Sequence, residues 1–336
     1  MKIELSCFIA LAATFLFSML IAPLVIKTMK KLKAGQVILG YVSQHSAKEG
    51  TPTMGGFIFI IPVVVVTLAV GYGKLSLVAV LLMLGYSLVG FLDDFLKIKT
   101  HNNLGLKPYQ KIIGQTGLAA IAAVFVYKNP VIGSAVGFPF TTATVDFSWG
   151  IIPFTMLVYI AATNAVNLTD GLDGLASTTS LIYFIGYSLI ATTEVLGLIY
   201  YGQDLTATEV KGVAVFSASV VGGLMAFLWF NFNPAKIMMG DTGSLALGSA
   251  VATVAVFLKN PFSILISGIM FVVSCISVIV QVTYFKLTKK RVFLMAPYHH
   301  HLEKKGIPEW NIVCRYAVIT TLFTALNVLS KVVYEL

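Results

Sequence analysis

The chain has 336 residues, 57% of them hydrophobic and only 11% charged, with a formal net charge of +9. A water-soluble globular domain averages about 25% charged residues, so this composition excludes one and fits a polytopic membrane protein. The positive charge then marks basic loops on one membrane face and gives no reason to invoke nucleic acid. Cys7, Cys275 and Cys314 stand far apart, each in or beside an apolar run, with neither metal-ligand nor disulfide-framework spacing.

A spanning helix needs about 20 mostly apolar residues. Ten such segments are predicted, near 5–26, 55–73, 75–96, 111–127, 151–166, 174–192, 210–230, 242–258, 262–285 and 312–333. Lys27, Lys30, Lys31 and Lys33 directly follow the first segment, a pattern that stops transfer and retains it in the membrane. With both termini outside, most lysines and arginines fall on inner loops, so this orientation obeys the positive-inside rule. Residues 131–149 carry Gly, Pro and partly alternating β-branched residues, which predicts a small β-hairpin on the outer surface. The stretch 192–209, holding Glu194, Asp204 and Glu209, is expected to be a solvated loop with a short helix. The whole of 1–336 reads as one all-α integral membrane domain, without a soluble domain or an internal repeat.

The unusual polar residues collect on the five loops expected to face the cytoplasm. The first loop holds Lys48 and the run GTPTMGG at 50–56, which suits either a phosphate or a helix-starting turn. The second ends a span with Asp93 and Asp94. Acids at a membrane edge are costly, and a helix C-terminus disfavours negative charge. A cation such as Mg²⁺, or Lys97, would relieve them. Lys111, which begins the next helix near Gln110 and Gln115, is a candidate phosphate contact.

The third loop is NAVNLTDGLDGLA at 164–176, with Asn164, Asn167, Asp170 and Asp173 at three-residue spacing. That spacing places side chains near one face of a helical turn, while the two Asp-Gly pairs favour a turn at a helix end. This loop lacks Lys and Arg, which suits the reading of an uncharged group. In the fourth, Asp241 lies between two glycines just before an apolar helix. The position fits an N-cap, or a hard cation shared with phosphate oxygens. Asn231, at the end of the preceding span, could read a base or ribose. The fifth contains His299, His300 and His301, with Gln281 just above it in the ninth span. Adjacent side chains diverge too far to share one zinc ion, so phosphate binding or proton transfer fits the histidines better. Acids for a metal, amides for a nucleoside and bases for phosphate together point to phosphoryl transfer. A transporter would place its coordinating groups nearer the bilayer centre.

Several long runs in this order, GTPTMGG at 50–56, GFLDDFLK at 90–97, NAVNLTDGLDGLA at 164–176, GDTGSLALG at 240–248 and MAPYHHHLE at 295–303, give the chain a family resemblance. It resembles the phospho-N-acetylmuramoyl-pentapeptide transferases, a branch of the polyprenyl-phosphate N-acetylhexosamine-1-phosphate transferases, over essentially its full length. The resemblance implies a bacterial plasma-membrane enzyme with a cytoplasmic active site. In the implied reaction, undecaprenyl phosphate attacks UDP-N-acetylmuramoyl-pentapeptide, UMP leaves, and Mg²⁺ is required. It implies Asp241 as the Mg²⁺ ligand, and Asp93 beside the lipid phosphate with Asp94 next to it. Asn167, Asp170, Asp173, Asn231 and Gln281 are implied at the nucleotide, and Lys48, Lys111, His299, His300 and His301 at phosphates or sugar, His300 among the catalytic groups. Met238 departs from the Phe common at its position in the family; its sulfur can still pack against a ring. Besides the substrates and the bilayer no partner is implied, and a homodimer is one assembly the reading allows.

Overall fold

The computed structural model describes residues 2–32, 50–71, 73–100 and 105–335. Lys48 lies outside these residues. In chain order the helices are α1 (Ile3–Lys31), α2 (Phe57–Val70), α3 (Lys74–Thr100), α4 (Pro108–Lys128), α5 (Ile151–Thr169), α6 (Leu175–Tyr200), α7 (Asp204–Asn231) and α8 (Gly240–Phe257). They continue with α9 (Ile264–Ser267), α10 (Ile269–Thr288), α11 (Tyr298–Lys304) and α12 (Glu309–Glu335). Among the described residues, nine helices are long and apolar enough to cross a membrane. The predicted second span is the exception, since α2 is a shorter apolar helix of 14 residues. The predicted ninth span is interrupted. A 3₁₀ turn at Pro261–Ser263 leads into α9, and the helix breaks at Gly268 before α10.

The bundle is organised around α8. Every residue from Thr242 to Phe257 on this helix is buried, and most of them are Gly, Ala, Ser, Thr or Val. Lipid supplies no hydrophobic drive between helices, so such small side chains are what allow backbones to close on one another. α3 and α5 pack most extensively on α8, while α1 and α6 pack mainly on α7. At Gly90 of α3 a side chain would run into the backbone of Asp241 and Thr242, so the acidic end of α3 lies against the first turn of α8.

The hairpin is present in reduced form. β1 (Ala135–Gly137) pairs antiparallel with β2 (Thr144–Asp146), Val136 facing Val145. Gly137 N donates to Lys259 O at 2.7 Å, tying the hairpin to the far end of α8. The loop expected over 192–209 is not there. α6 and α7 run through it, and only residues 201–203 connect them, turning at Gly202. Two of its acids serve helix ends instead. Asp204 sits in the first turn of α7, where the helix dipole favours it. Glu209 Oε2 accepts a 2.9 Å bond from Leu75 N at the start of α3.

Candidate functional site at the start of α8

Asp93, Asp94 and Asp241 converge where α3 meets α8, each offering a carboxylate oxygen within 4.8 Å of the others. The two acids of α3 divide their work because successive helical positions point about 100° apart. Asp94, 3% exposed, faces α8 and caps it. Its Oδ1 accepts from Asp241 N at 3.2 Å, and its Oδ2 accepts from Thr242 N at 2.9 Å and Thr242 Oγ1 at 2.7 Å. Those amides belong to the first turn of a helix, which has no partners of its own for them. Asp241, expected as an N-cap or a ligand, is therefore not the residue that caps α8. Gly240 precedes it at φ +73°, a left-handed conformation costly for a side chain. A side chain there would also meet the Asp94 carboxylate.

Freed from capping, the Asp241 carboxylate is held by groups from three other helices or turns. Lys111 Nζ of α4 lies 2.8 Å from Oδ2 and Lys97 Nζ of α3 lies 3.1 Å from it. Asn167 Nδ2 of α5 donates to Oδ1 at 2.7 Å and to Ser244 Oγ at 2.8 Å. Lys97 also contacts Asp93 Oδ2 at 2.5 Å and Asp94 Oδ1 at 3.9 Å, so one ammonium links all three acids. Asp93 Oδ1 accepts from Leu106 N at 2.8 Å, which fixes the approach to α4. The three carboxylates offer hard oxygen ligands suited to Mg²⁺-like cations. Three acids against two lysines leave the cluster one negative charge in excess.

The third loop closes this cluster from one side. α5 ends at Thr169 and α6 begins at Leu175, so the Asp170–Gly174 turn joins them. Among the described residues no hydrogen bond reaches the Asp170 carboxylate. Burial, and then the charges of Asp241, Asp94 and Asp173, push its pKa well above the usual carboxylate range. Asp173 Oδ2 accepts from Ala235 N at 3.0 Å and Asn233 Nδ2 at 3.3 Å, binding the third loop to the fourth. Asn231 does the same. Its Oδ1 accepts from Ser177 Oγ at 2.7 Å and Gly174 N at 3.2 Å, and its Nδ2 donates to Ile237 O at 3.0 Å. GTPTMGG proves to be a helix-starting turn clamped to the fourth loop. Gly55 N donates to Met238 O at 2.8 Å, Gly56 N to Met239 O at 3.1 Å, and Met238 N to Pro52 O at 2.8 Å.

The histidines sit on α11, and of the three only His301 diverges while His299 and His300 stay side by side. His299 is buried with its ring 4.4 Å from that of His300 and 6.4 Å from that of Tyr316. A side chain at Gly171 would strike both His299 and His300, so these two rings lie against the third loop. His300 Nδ1 is 2.9 Å from Glu303 Oε2. His301 points elsewhere: its Nδ1 accepts from Leu294 N at 3.1 Å and its ring stacks on Tyr298 at 5.8 Å. Desolvation, then the Lys305 charge, push its pKa down. Gln281 Oε1 accepts from Phe293 N at 2.9 Å and Val292 N at 3.1 Å, folding the fifth loop back on α10.

An apolar groove of about 330 Å³ runs along α5 between Phe154 and Ala165, walled on its other side by Phe262, Leu265, Val272 and Ile276 of the α9–α10 arm. Its lining ends at Ala165 of α5, two residues before Asn167 in the chain. Sequence reasoning missed three members of the site. Lys97 was noticed only as a neutraliser, although its i+4 spacing from Asp93 was readable. Thr242 and Ser244 are ordinary in sequence and acquire their roles only when α3 and α5 reach α8.

Residues 76–259 match the model of glycosyl transferase family 4. The chain is 41% identical over 332 residues to a phospho-N-acetylmuramoyl-pentapeptide-transferase of Desulfitobacterium hafniense, covering 96% of this chain and 97% of the relative. It is 42% identical over 324 residues to the enzyme of that name from Clostridium botulinum, covering 96% and 95% of the two chains. A Geobacillus enzyme of the same name is 41% identical over 330 residues, covering 96% and 97%.

Proposed function

The chain belongs to glycosyl transferase family 4 and, within it, to the phospho-N-acetylmuramoyl-pentapeptide transferases, and from that premise we propose that it joins phospho-N-acetylmuramoyl-pentapeptide to undecaprenyl phosphate. The donor is UDP-N-acetylmuramoyl-pentapeptide, UMP is released, and the product is the first lipid intermediate of peptidoglycan. The chain acts in the bacterial plasma membrane, both termini outside and the α8 start on the cytoplasmic face. The lysine and arginine bias supports that orientation.

The observation that carries the reading is the Asp241 carboxylate, held by Lys97, Lys111 and Asn167 within reach of Asp93 and Asp94. Asp241, with Asp93 beside it, would hold the Mg²⁺ ion, which when bound neutralises charge on the donor pyrophosphate. Lys111 and Lys97 then pass from carboxylates to phosphate oxygens as substrates enter. Asp93 orients the lipid phosphate or takes its last proton. A phosphate monoester is already largely dianionic at pH 7, its second pKa being about 6, so direct attack needs little base. The groove along α5 takes the polyprenyl chain and delivers its phosphate beside Asn167. Asp170 and Asp173 face the nucleotide, with Met238 packing nearby. His299 and His300 bear on phosphate or sugar from across Gly171. Asn231 and Gln281, whose amides are engaged within the protein, contribute by holding the third, fourth and fifth loops in place.

The test is UMP release from UDP-N-acetylmuramoyl-pentapeptide by the reconstituted chain with undecaprenyl phosphate, with Mg²⁺ or with EDTA. Release that needs both Mg²⁺ and the lipid phosphate supports the reading. Equal release with UDP-N-acetylhexosamine, or none with either donor, overturns it.

A further inference from the structure

The inner end of α10 is unlike any other helix end among the described residues. Residues 282–290 are exposed without exception, so the last two turns have no face against the protein. At 1.5 Å per residue the helical part, residues 282–288, is about 10 Å long. Its side chains are of two kinds. Leu287 is 80% exposed, with Val282, Tyr284 and Phe285 each above 40%. Among them stand Lys286, Lys289, Lys290 and Arg291, and no acid occurs between Gln281 and Leu302.

The cations are gathered by the fold. Lys289 adopts a left-handed conformation at φ +58° and ends the helix. Gln281 Oε1 then captures the amides of Val292 and Phe293, 11 and 12 residues further on. The chain is thereby reversed within three residues, leaving Lys289, Lys290 and Arg291 at the tip and returning Val292 and Leu294, about half exposed, along the side. Phe293 packs on His301 at 5.5 Å and locks the return. Water would disfavour so much bare apolar surface, and the hydrocarbon interior would disfavour the cations. The boundary between them suits both.

We propose that the tip of α10 is a docking surface for anionic phospholipid headgroups, with Leu287 and its apolar neighbours inserted among the acyl chains. The charge complementarity is one-sided, four cations in a stretch of sequence without an acid, and a cation held near an anionic membrane surface is worth about a fivefold gain in affinity. α10 also walls the apolar groove through Val272 and Ile276, so headgroups gathered at its tip lie at the foot of the same helix. The proposal rests on the membrane reading alone and is independent of the transfer reaction.

The full chain carrying Leu287→Trp is reconstituted in phosphatidylcholine vesicles containing doxyl-labelled phosphatidylglycerol or doxyl-labelled phosphatidylcholine. The quenching is read against the same protein without the substitution. The labelled phosphatidylglycerol is expected to quench the added indole at several-fold lower mole fraction, a preference that 1 M salt abolishes. Adding Lys286→Gln, Lys289→Gln, Lys290→Gln and Arg291→Gln should make the two curves coincide, while lysine–arginine exchange at the same positions should keep the preference. If the fourfold variant fails to insert, Lys289→Gln with Lys290→Gln is read in the same way, for a partial loss. Coincident curves before neutralisation, a preference that survives it, or an indole that neither lipid quenches would each overturn the proposal.

Discussion

The two ends of the helix bundle are built by different kinds of hydrogen bond. At the hairpin end, the outer one in the proposed orientation, the side-chain bonds stay within the hairpin region: Asn129 Oδ1 to Val131 N and Ile132 N, Thr141 Oγ1 to Ala143 N, Asp146 Oδ1 to Ser148 N, and Asp146 to Ser134 across the strand pair. At the start of α8 they join residues far apart in the chain, Asp94 to Thr242, Lys111 to Asp241, Asn167 to Ser244, Asp173 to Ala235. Local bonds shape a turn and leave its neighbours indifferent. Bonds between distant elements hold charges against one another in a medium where separating them is costly, so the folded bundle maintains an arrangement that no single loop would adopt. Substitutions at the two ends should accordingly differ in kind as well as in size.

The largest effect is expected from Asp241→Asn. It removes the charge at the centre of the inner network while keeping the shape and one acceptor for Asn167. With several kcal/mol of transition-state charge stabilisation at stake, Mg²⁺-dependent UMP release should fall about a thousandfold or more. Thermal unfolding in detergent should move to lower temperature with the protein still folded, since Lys97 and Lys111 lose the carboxylate that pairs with them. Near-normal turnover would break the assignment of the metal to Asp241 and, with it, the claim that the inner network is the reaction site.

Asp94 gives the next largest effect and separates capping from chemistry. Asp94→Ala leaves two amides and a hydroxyl of the α8 start unanswered in a buried place. The loss should be about 1–2 kcal/mol of stability, with turnover falling as Asp241 loses its bearing. Asp94→Asn keeps an oxygen acceptor, and Asn is as good a cap as Asp. It should recover much of the stability and part of the turnover, with the Mg²⁺ concentration at half-maximal rate little changed. If Asn and Ala behave alike in turnover while Asn unfolds normally, the Asp94 charge acts in the reaction and the capping reading falls.

Asp170 supplies a test in which stability and activity move apart. Its carboxyl titrates above the usual range, held up by burial and by Asp241, Asp94 and Asp173. For an acid whose folded pKa exceeds the unfolded one, the unfolded chain ionises first. The contribution to stability is then unfavourable and grows as pH rises from the unfolded pKa, near 3.9, toward the folded one. In EDTA, Asp170→Asn should unfold at a higher temperature than the parent above pH 5, the two converging toward pH 4, while UMP release falls several-fold. A lower unfolding temperature at pH 7 would show that Asp170 is paired in solution and would remove it from the strained part of the inner network.

The same contrast explains what could be read in the sequence. Span positions were legible because hydrocarbon demands long apolar runs, and nine of the ten predicted segments correspond to helices of spanning length. The hairpin was legible because turn chemistry is local. The acids of the inner loops were visible because polar residues at a membrane edge are rare. Their division of labour was not. Asp93 and Asp94 are adjacent and identical, and only the approach of α8 at Gly90 makes one a cap and leaves the other beside Lys97. Asn231 and Gln281 looked like ligand amides, since an unpaired amide and one spent on a backbone 6 or 11 residues away are indistinguishable in a string of letters. The acids of 192–209 misled for a related reason: a carboxylate in water and a carboxylate answering a helix start have the same letter.

The smallest effect is expected at the outer end, and it sharpens the comparison by what it fails to do. Asp146→Ala removes the acceptor for Ser148 N in a fully exposed turn. Water can replace that bond, and surface substitutions of this type usually stay within about 0.5 kcal/mol. Turnover should remain within about twofold of the parent, since no bond of that turn reaches the carboxylate cluster. A harsher variant, Val136→Asp, places a charge at a buried position of β1 opposite Val145 and should melt the hairpin. The bond from Gly137 N to Lys259 O would go with it and free the far end of α8. If α8 is fixed by Asp94 at its start and by its small-residue packing along its length, UMP release should survive loss of the hairpin almost unchanged. A large loss of turnover would mean that α8 transmits strain from one face to the other, and that the hairpin belongs to the mechanism.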